Sequence, residues 1–418
     1  MKRSSVFPVC FVLLALLLIS CSNGTTDSGV SGGDVLGPAT SNDDFQGLWV
    51  GPDSNYRFTG NSFQYQDNIG RSRPGSFTFT STQITFIPQQ ANTWTGYTLN
   101  YQVSGTTLAL SGSTDQTSGT FERQPEPLFV AANPSRGFNY GYYYYIPGNV
   151  RSGSTVRLLV EPNNTAGFTN YTIDDAQTHT QAAFRVINEA KRIADELGTV
   201  LLVPSIPRPL STPPFTEPQI LNRVAMQTST GTHARVDLQL IRMIDNLREI
   251  SQRRGINLEA KILINGFSAG GNFGNRFTAL HPELVQAVVS GGVAGLPILP
   301  SANIEGERLI YPVGIADLGD ITDNVFNLAL YSSIPQFIYM GANDTNDPLR
   351  STHFHGVEEQ RIIINVLGTD MRRRFERSQN IYDDLGINAT FRIYPGVGHD
   401  VTPQMESDII DFLRSNIR

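Results

Sequence analysis

The hydrophobic rhythm of the chain changes three times from its amino end. Lys2 and Arg3 precede an apolar stretch from Val9 to Ile19, which closes Leu18-Ile19-Ser20-Cys21. This stretch is too short to span a bilayer and has the charged-then-apolar layout of a secretory leader. Residues 22–44 are Ser, Thr, Gly, Asn and Asp with hardly an apolar side chain, so a flexible tether is expected over 21–44, with a reach on the order of 25 Å. From 45 to 125 apolar and polar positions alternate in short runs. These include Tyr56-Arg57-Phe58, Ser62–Tyr65, Ser76–Phe79, Gln83–Phe86, Tyr97–Tyr101, Thr107–Leu110 and Gly119–Phe121, separated by Gly, Asn, Pro and Ser. Period-two spacing between closely placed turn residues predicts an antiparallel all-β domain, a small barrel or a sandwich.

From about 126 onward, strands alternate with helices. Thr155–Val160 reads as one continuous strand and Val200–Val203 as another. Between them a helix is expected from Thr172, with Asp175 completing a capping box. Ala183, Val186, Ala190, Ile193 and Leu197 share a face, and Gly198 stops the helix. His233 to about Arg253 is a second amphipathic helix, built on Val236, Leu240, Ile244 and Leu247. Further strands are expected at Lys261–Asn265, Ala287–Ser290, Phe337–Met340 and Ala389–Tyr394. The closing helix has Thr402 as N-cap, Pro403 in its first turn, and Met405, Ile409, Leu413 and Ile417 facing inward. Strands joined by helices imply a mostly parallel, doubly wound sheet covered on both faces, so residues 126–418 form an α/β domain.

Composition narrows the setting. The 418 residues hold two cysteines, Cys10 inside the leader and Cys21 at its end, so an exported mature chain has no internal disulfide to form. The Leu-Ile-Ser-Cys ending resembles a bacterial lipobox. That resemblance implies a signal peptide over 1–20, lipidation at Cys21, and a lipid anchor in the cell envelope. The formal charge of −7 becomes about −9 once Lys2 and Arg3 are removed, which argues against nucleic-acid partners and against electrostatic membrane binding. Membrane contact is expected through the lipid.

The chemistry concentrates after the Lys261–Asn265 strand, where Gly266-Phe267-Ser268-Ala269-Gly270 leads into a helical stretch. Strand, Gly-x-Ser-x-Gly, helix is the order of a nucleophile elbow. Together with Gly-Phe-Ser-Ala-Gly-Gly at 266–271 and Tyr-Pro-Gly-Val-Gly-His at 394–399, it makes residues 126–418 similar to the α/β-hydrolase superfamily, near its esterase and polyhydroxyalkanoate-depolymerase-like branches. The resemblance implies a triad in the chain order Ser, acid, His. Ser268 is then the nucleophile and His399, after the last strand, the base. Asp344 sits where the family's acid sits, after Phe337–Met340, with Asp347 as its competitor. The oxyanion hole is expected from the N–H of Ala269 and a second donor in Glu161–Thr165. Pro162 has no N–H, so that donor is Asn163 or Asn164. The loop departs from the His-Gly pattern of lipases.

The remaining features carry plainer readings. Phe45–Trp49 holds Gly47-Leu48-Trp49, which resembles the Gly-x-Trp start of lipocalin-like barrels; a packed spacer or docking module is expected there rather than a ligand-holding barrel. Pro204–Thr232 and Ala294–Ser333 look inserted over the serine, as a lid or a pocket wall. His353 and His355 lack a ligand pattern and read as structural or surface histidines, and no metal or cofactor is expected. Arg372, Arg373, Arg374 and Arg377 read as a solvated helix face, and Tyr142–Tyr145 as a strand. The expected function is a lipid-anchored serine hydrolase of carboxylic esters. A serine peptidase on the same elbow is the rival enzyme, and an envelope binding protein with an inactive hydrolase domain the rival from another class.

Overall fold

The computed structural model describes residues 36–91, 93–113, 117–165, 175–208, 216–322, 325–352 and 354–417. The leader and Cys21 lie outside them. Eight strands form the first element group: β1 (Gly47–Val50), β2 (Ser54–Thr59), β3 (Ser62–Asp67), β4 (Ser72–Phe79), β5 (Gln83–Pro88), β6 (Tyr97–Val103), β7 (Thr107–Ser111) and β8 (Gly119–Arg123). Each pairs antiparallel with the next, and β1 pairs with β8, so the sheet is a closed barrel. The alternation works as expected. In β2, Ser54, Tyr56 and Phe58 point inward; in β3, Phe63, Tyr65 and Asp67 do. The interior is filled with rings, including Phe63 against Phe86 at 4.6 Å and Phe58 against Phe77 at 5.0 Å. Phe45 and Trp49 plug it as well. Part of the expected tether is ordered against this barrel. Gly37 and Val103 exchange backbone bonds of 3.1 and 2.9 Å, and Ser41 caps a 3₁₀ turn over Asn42–Asp44.

The second group holds β9 (Leu128–Val130), β10 (Tyr142–Tyr145), β11 (Thr155–Val156), β12 (Leu158–Val160), β13 (Val200–Pro204), β14 (Asn257–Leu258), β15 (Ile262–Phe267), β16 (Val285–Gly291), β17 (Asn303–Ile304), β18 (Glu307–Arg308), β19 (Gln336–Gly341) and β20 (Ala389–Tyr394). The main sheet runs β9-β10-β13-β12-β15-β16-β19-β20, parallel from β13 to β20, with β9 and β10 antiparallel at one end. The expected strand at 155–160 is two pieces: β11 leaves the sheet to pair with β14, and β12 enters it after Arg157. The helices are α1 (Ala176–Leu197), α2 (Arg223–Gln227), α3 (Val236–Arg253), α4 (Ala269–Leu280), α5 (Leu318–Thr322), α6 (Leu328–Ser333), α7 (Val357–Val366), α8 (Met371–Asp384) and α9 (Pro403–Ser415). α1 and α9 pack on one face of the sheet; α3, α4, α7 and α8 belong to the larger core on the other. This is the α/β-hydrolase fold, preceded by an all-β barrel.

Local chemistry sets the helix ends. Thr172 lies outside the described residues, and α1 starts at Ala176 because Asp175 accepts from Thr178 N–H at 3.0 Å. Gly198 ends it at φ 63°. Thr402 and Pro403 start α9 as the sequence implies. Parts of both segments read as insertions contribute to the core. Ile206, Ile220 and Leu221 from the first, and Ile298, Leu299, Leu309 and Tyr311 from the second, lie in the large hydrophobic cluster.

Candidate active site

Ser268 stands on the turn between β15 and α4, with φ 59° and ψ −117°. A non-glycine residue is held there only when its surroundings over-determine it. Ser268 N–H donates to Gly291 O at 2.8 Å, and Ser268 O accepts from Asn272 N–H at 3.0 Å and Asn272 Nδ2 at 2.9 Å. Strand and helix close so tightly that a Cβ on Gly266 would lie 2.4 Å from the Gly270 carbonyl. One on Gly270 would lie 2.7 Å from Pro162 O. Glycine is therefore obligatory at both positions flanking the serine.

His399, on the loop after β20, comes to this turn from above. Its ring lies 4.7 Å from the ring of Phe267, the residue before Ser268. A Cβ on Gly292, next to the residue that holds Ser268 N–H, would be 3.1 Å from His399 Cε1. The His399 Nδ1–H donates to Asp344 Oδ2 at 2.8 Å. Asp344 follows β19, is 7% exposed, and also accepts from Asn346 N–H at 2.8 Å. Sequence reasoning missed Asn346, whose Nδ2 donates to His399 Nε2 at 2.9 Å. With Nδ1 protonated toward Asp344, Nε2 is the bare acceptor, and at rest an amide occupies it.

Asp347, the competitor for the acid, is turned elsewhere. Its Oδ1 accepts from Arg374 Nη2 at 2.7 Å and caps a short turn at Leu349 N–H, 3.0 Å away. Arg374 is 0% exposed and also donates to Thr369 O and Ala294 O. This corrects the reading of the arginine run as a solvated face. Arg372 and Arg377 do pair at the surface, with Glu376 and Glu305, but Arg374 shares its face of α8 with Phe375, Ser378 and Tyr382. His353 lies outside the described residues. His355 is buried, and burial beside Arg276 and Arg374 pushes its imidazole down to about 3, so it is neutral.

The two expected oxyanion segments flank the serine. Ala269 is the first residue of α4, where a helix leaves its N–H groups without intrahelical partners. The Asn163 side chain is stapled to the loop after β13: Nδ2 donates to Ile206 O at 2.9 Å, and Ile206 N–H donates to Oδ1 at 3.2 Å. That pairing ties the Asn163 side chain to Ile206 and leaves its backbone N–H as a candidate oxyanion donor. Asn164 O accepts from Arg185 at 2.8 Å. Two further acids were not singled out. Glu161 accepts from Asn265 Nδ2 at 2.6 Å; burial, aided by Glu189, pushes its carboxyl up to about 8 against that bond. Glu217, beside Arg208, is pushed up to about 7 by burial. Glu161, Pro162, Asn164, Phe267 and Asp400 border a cavity of about 460 Å³ that adjoins the elbow.

No protein-family model matches the chain, and no curated protein matches it. Among solved structures, the chain is similar to poly(aspartic acid) hydrolase-1 from Sphingomonas sp. KT-1, at 17% identity over 70% of this chain and 98% of that one, with a TM-score of 0.43. It is similar to a poly(3-hydroxybutyrate) depolymerase from Bordetella parapertussis, at 15% identity over 70% of this chain and 88% of that one, TM-score 0.41. An S-formylglutathione hydrolase from Agrobacterium tumefaciens is 14% identical over 70% of this chain and 96% of its own, TM-score 0.39.

Proposed function

We propose that the chain is a serine hydrolase of carboxylic esters, working through an acyl-enzyme on Ser268. The observation that carries this is the left-handed Ser268 turn with the His399–Asp344 pair set against Phe267 and Gly292 on either side of it. In this reading Ser268 Oγ attacks the ester carbonyl carbon as His399 Nε2 takes its proton. The negative charge that collects on the carbonyl oxygen is met by the Ala269 N–H and a backbone N–H of Asn163 or Asn164. His399 then returns the proton to the departing alkoxide, which leaves as the alcohol. Water repeats the sequence on the acyl-serine and releases the acid. Asp344 holds the imidazole in the Nδ1–H tautomer and offsets its charge when protonated.

A second proposal concerns place. Cys21 is lipidated after removal of 1–20, and the domains stand on a tether at the exported face of an envelope membrane. The Lys2-Arg3 leader and the Leu-Ile-Ser-Cys ending support this. The test of the chemistry is labelling of the purified protein with a fluorophosphonate probe, with Ser268→Ala alongside, followed by rates on p-nitrophenyl esters and peptide amides. Labelling of the wild type alone, with turnover of esters, is expected. Equal labelling of both proteins, or amide turnover exceeding ester turnover, would reject the proposal as stated.

A further inference from the structure

The barrel and the sheet domain meet around two arginines. Arg123 ends β8, and Arg254 follows α3. Arg123 lies 4.0 Å over the Trp49 ring, and Arg254 lies 5.3 Å over the Tyr144 ring. Arg254 is 4% exposed. Among the described residues Arg123 donates to backbone carbonyls: Gly105 O at 2.9 Å, Asp44 O at 2.5 Å, and Gln46 O. Arg254 Nη2 donates to the Tyr144 hydroxyl at 2.7 Å and to Asp43 O at 3.3 Å. Its Nε is buried without an acceptor. Among the described residues no carboxylate is bonded to either guanidinium.

Both line a cavity of about 200 Å³ at the junction, with Thr107, Ser152, Glu122 and Arg151 also on its wall. Arg151 and Glu122 are exposed. Glu126 also lines the cavity, and Glu122 extends to solvent at its wall; Glu126 and Asp44 are held by other partners. Glu126 gives both oxygens to Arg57, at 2.8 and 2.7 Å, and Asp44 Oδ2 accepts from Thr40 and Ser41 N–H. Two neighbouring like charges, Arg254 buried and Arg123 partly so, lose hydration and repel each other. Burial, followed by the charge of Arg254, holds Arg123 well below the usual arginine range. An opposite charge in the cavity removes both costs and supplies the acceptor that Arg254 Nε lacks.

We infer that this junction is a binding site for a small oxyanion, a phosphate or a carboxylate, held by Arg254 of the sheet domain beside Arg123 of the barrel. Guanidinium groups suit such ligands because their planar donors match paired oxygens. The anion ties the two domains together, and it does so independently of the serine chemistry.

Trp49 is one of only two tryptophans in the chain, the other being Trp94, so Trp94→Phe leaves the Arg123-stacked ring as sole reporter. Its fluorescence is titrated with inorganic phosphate and with acetate, at ionic strength fixed by chloride, in the full chain. A saturable change at millimolar phosphate or acetate is expected, and the tighter of the two identifies the group. Arg254→Gln should abolish saturation, and Arg254→Lys, which keeps charge but not the fork, should weaken binding about tenfold. If Arg254→Gln does not fold, Arg151→Gln at the cavity mouth should weaken binding about threefold by loss of screened charge. Phosphate and acetate acting no differently from chloride, or a titration unchanged in the folded variants, would overturn the assignment.

Discussion

Two carboxylates three residues apart should separate cleanly when each is made an amide. Asp344 accepts from His399 Nδ1–H and from Asn346 N–H, each at 2.8 Å. In Asp344→Asn the amide nitrogen faces Nδ1 and reverses the tautomer, so that Nε2 carries the proton and cannot take the serine's. A reversed tautomer costs about 10⁴-fold in kcat, or roughly 5.5 kcal/mol of transition-state stabilisation. The fold loses little, on the order of 1–2 kcal/mol, because one hydrogen bond weakens while a buried charge disappears. Asp347 has the opposite profile. It is the sole carboxylate bonded to the fully buried Arg374 among the described residues. Breaking a buried pair costs about 3–5 kcal/mol. Here Thr369 O and Ala294 O still hold the guanidinium, and the Asp347 side chain is 33% exposed. About 2–3 kcal/mol is therefore the expected loss for Asp347→Asn, seen as a melting point several degrees lower. Its kcat should stay within about threefold, for a group with no direct contact to His399. Initial rates on p-nitrophenyl butyrate and thermal melts of both variants give the four numbers. The reasoning fails if Asp347→Asn loses rate while keeping its melting point, or if Asp344→Asn keeps more than about a tenth of wild-type kcat.

Asn346→Ala should speed fluorophosphonate labelling about fivefold, the worth of one neutral hydrogen bond competing for Nε2; slower labelling would make Asn346 a helper of the base instead. Glu161→Gln should stabilise the protein more at pH 9 than at pH 5. Burial pushes the folded carboxyl up to about 8, above its unfolded value, so the fold retains a proton the unfolded chain has lost, and stability falls as pH rises between those values. Melts at the two pH values read this directly, and a pH-independent difference would refute it. Cys21→Ala should move the protein from the membrane to the soluble fraction on cell fractionation. Continued sedimentation with membranes would count against lipidation.

The parts legible in the sequence are those with a short period or a fixed order. The barrel strands alternate every second residue because one face is wet and the other packed with rings, and that survives in the sequence as Tyr56-Arg57-Phe58 or Phe63-Gln64-Tyr65. The elbow was legible because glycine is sterically required at 266 and 270. Asp344 and His399 were placed by strand order, and the structure brings them together. Contacts between distant segments left no such mark. Arg374 looks like any surface arginine until the Ala294 carbonyl, eighty positions away, is folded over it. Glu161 reads as a loop residue, yet Asn265 from a neighbouring strand bonds it and α1 partly covers it. Pro204–Thr232 looked inserted for its prolines and Ala294–Ser333 for its place after the Ala287–Ser290 strand; that Leu221 and Tyr311 within them are wholly buried was not legible.

Closure of the barrel has a bearing on how folded copies behave when crowded. With β1 bonded to β8, no barrel strand offers a neighbour a row of open N–H and C=O groups. The main sheet ends in two edges. One, β9, is three residues long, too short to template a partner strand. The other, β20, carries Arg392 in its middle, paired with Asp408 of α9. A charge at that position opposes edge-to-edge pairing. Within the barrel and the main sheet, β20 is thus the one edge long enough to template a partner, and a variant that removed Arg392 is expected to aggregate more readily while still folded.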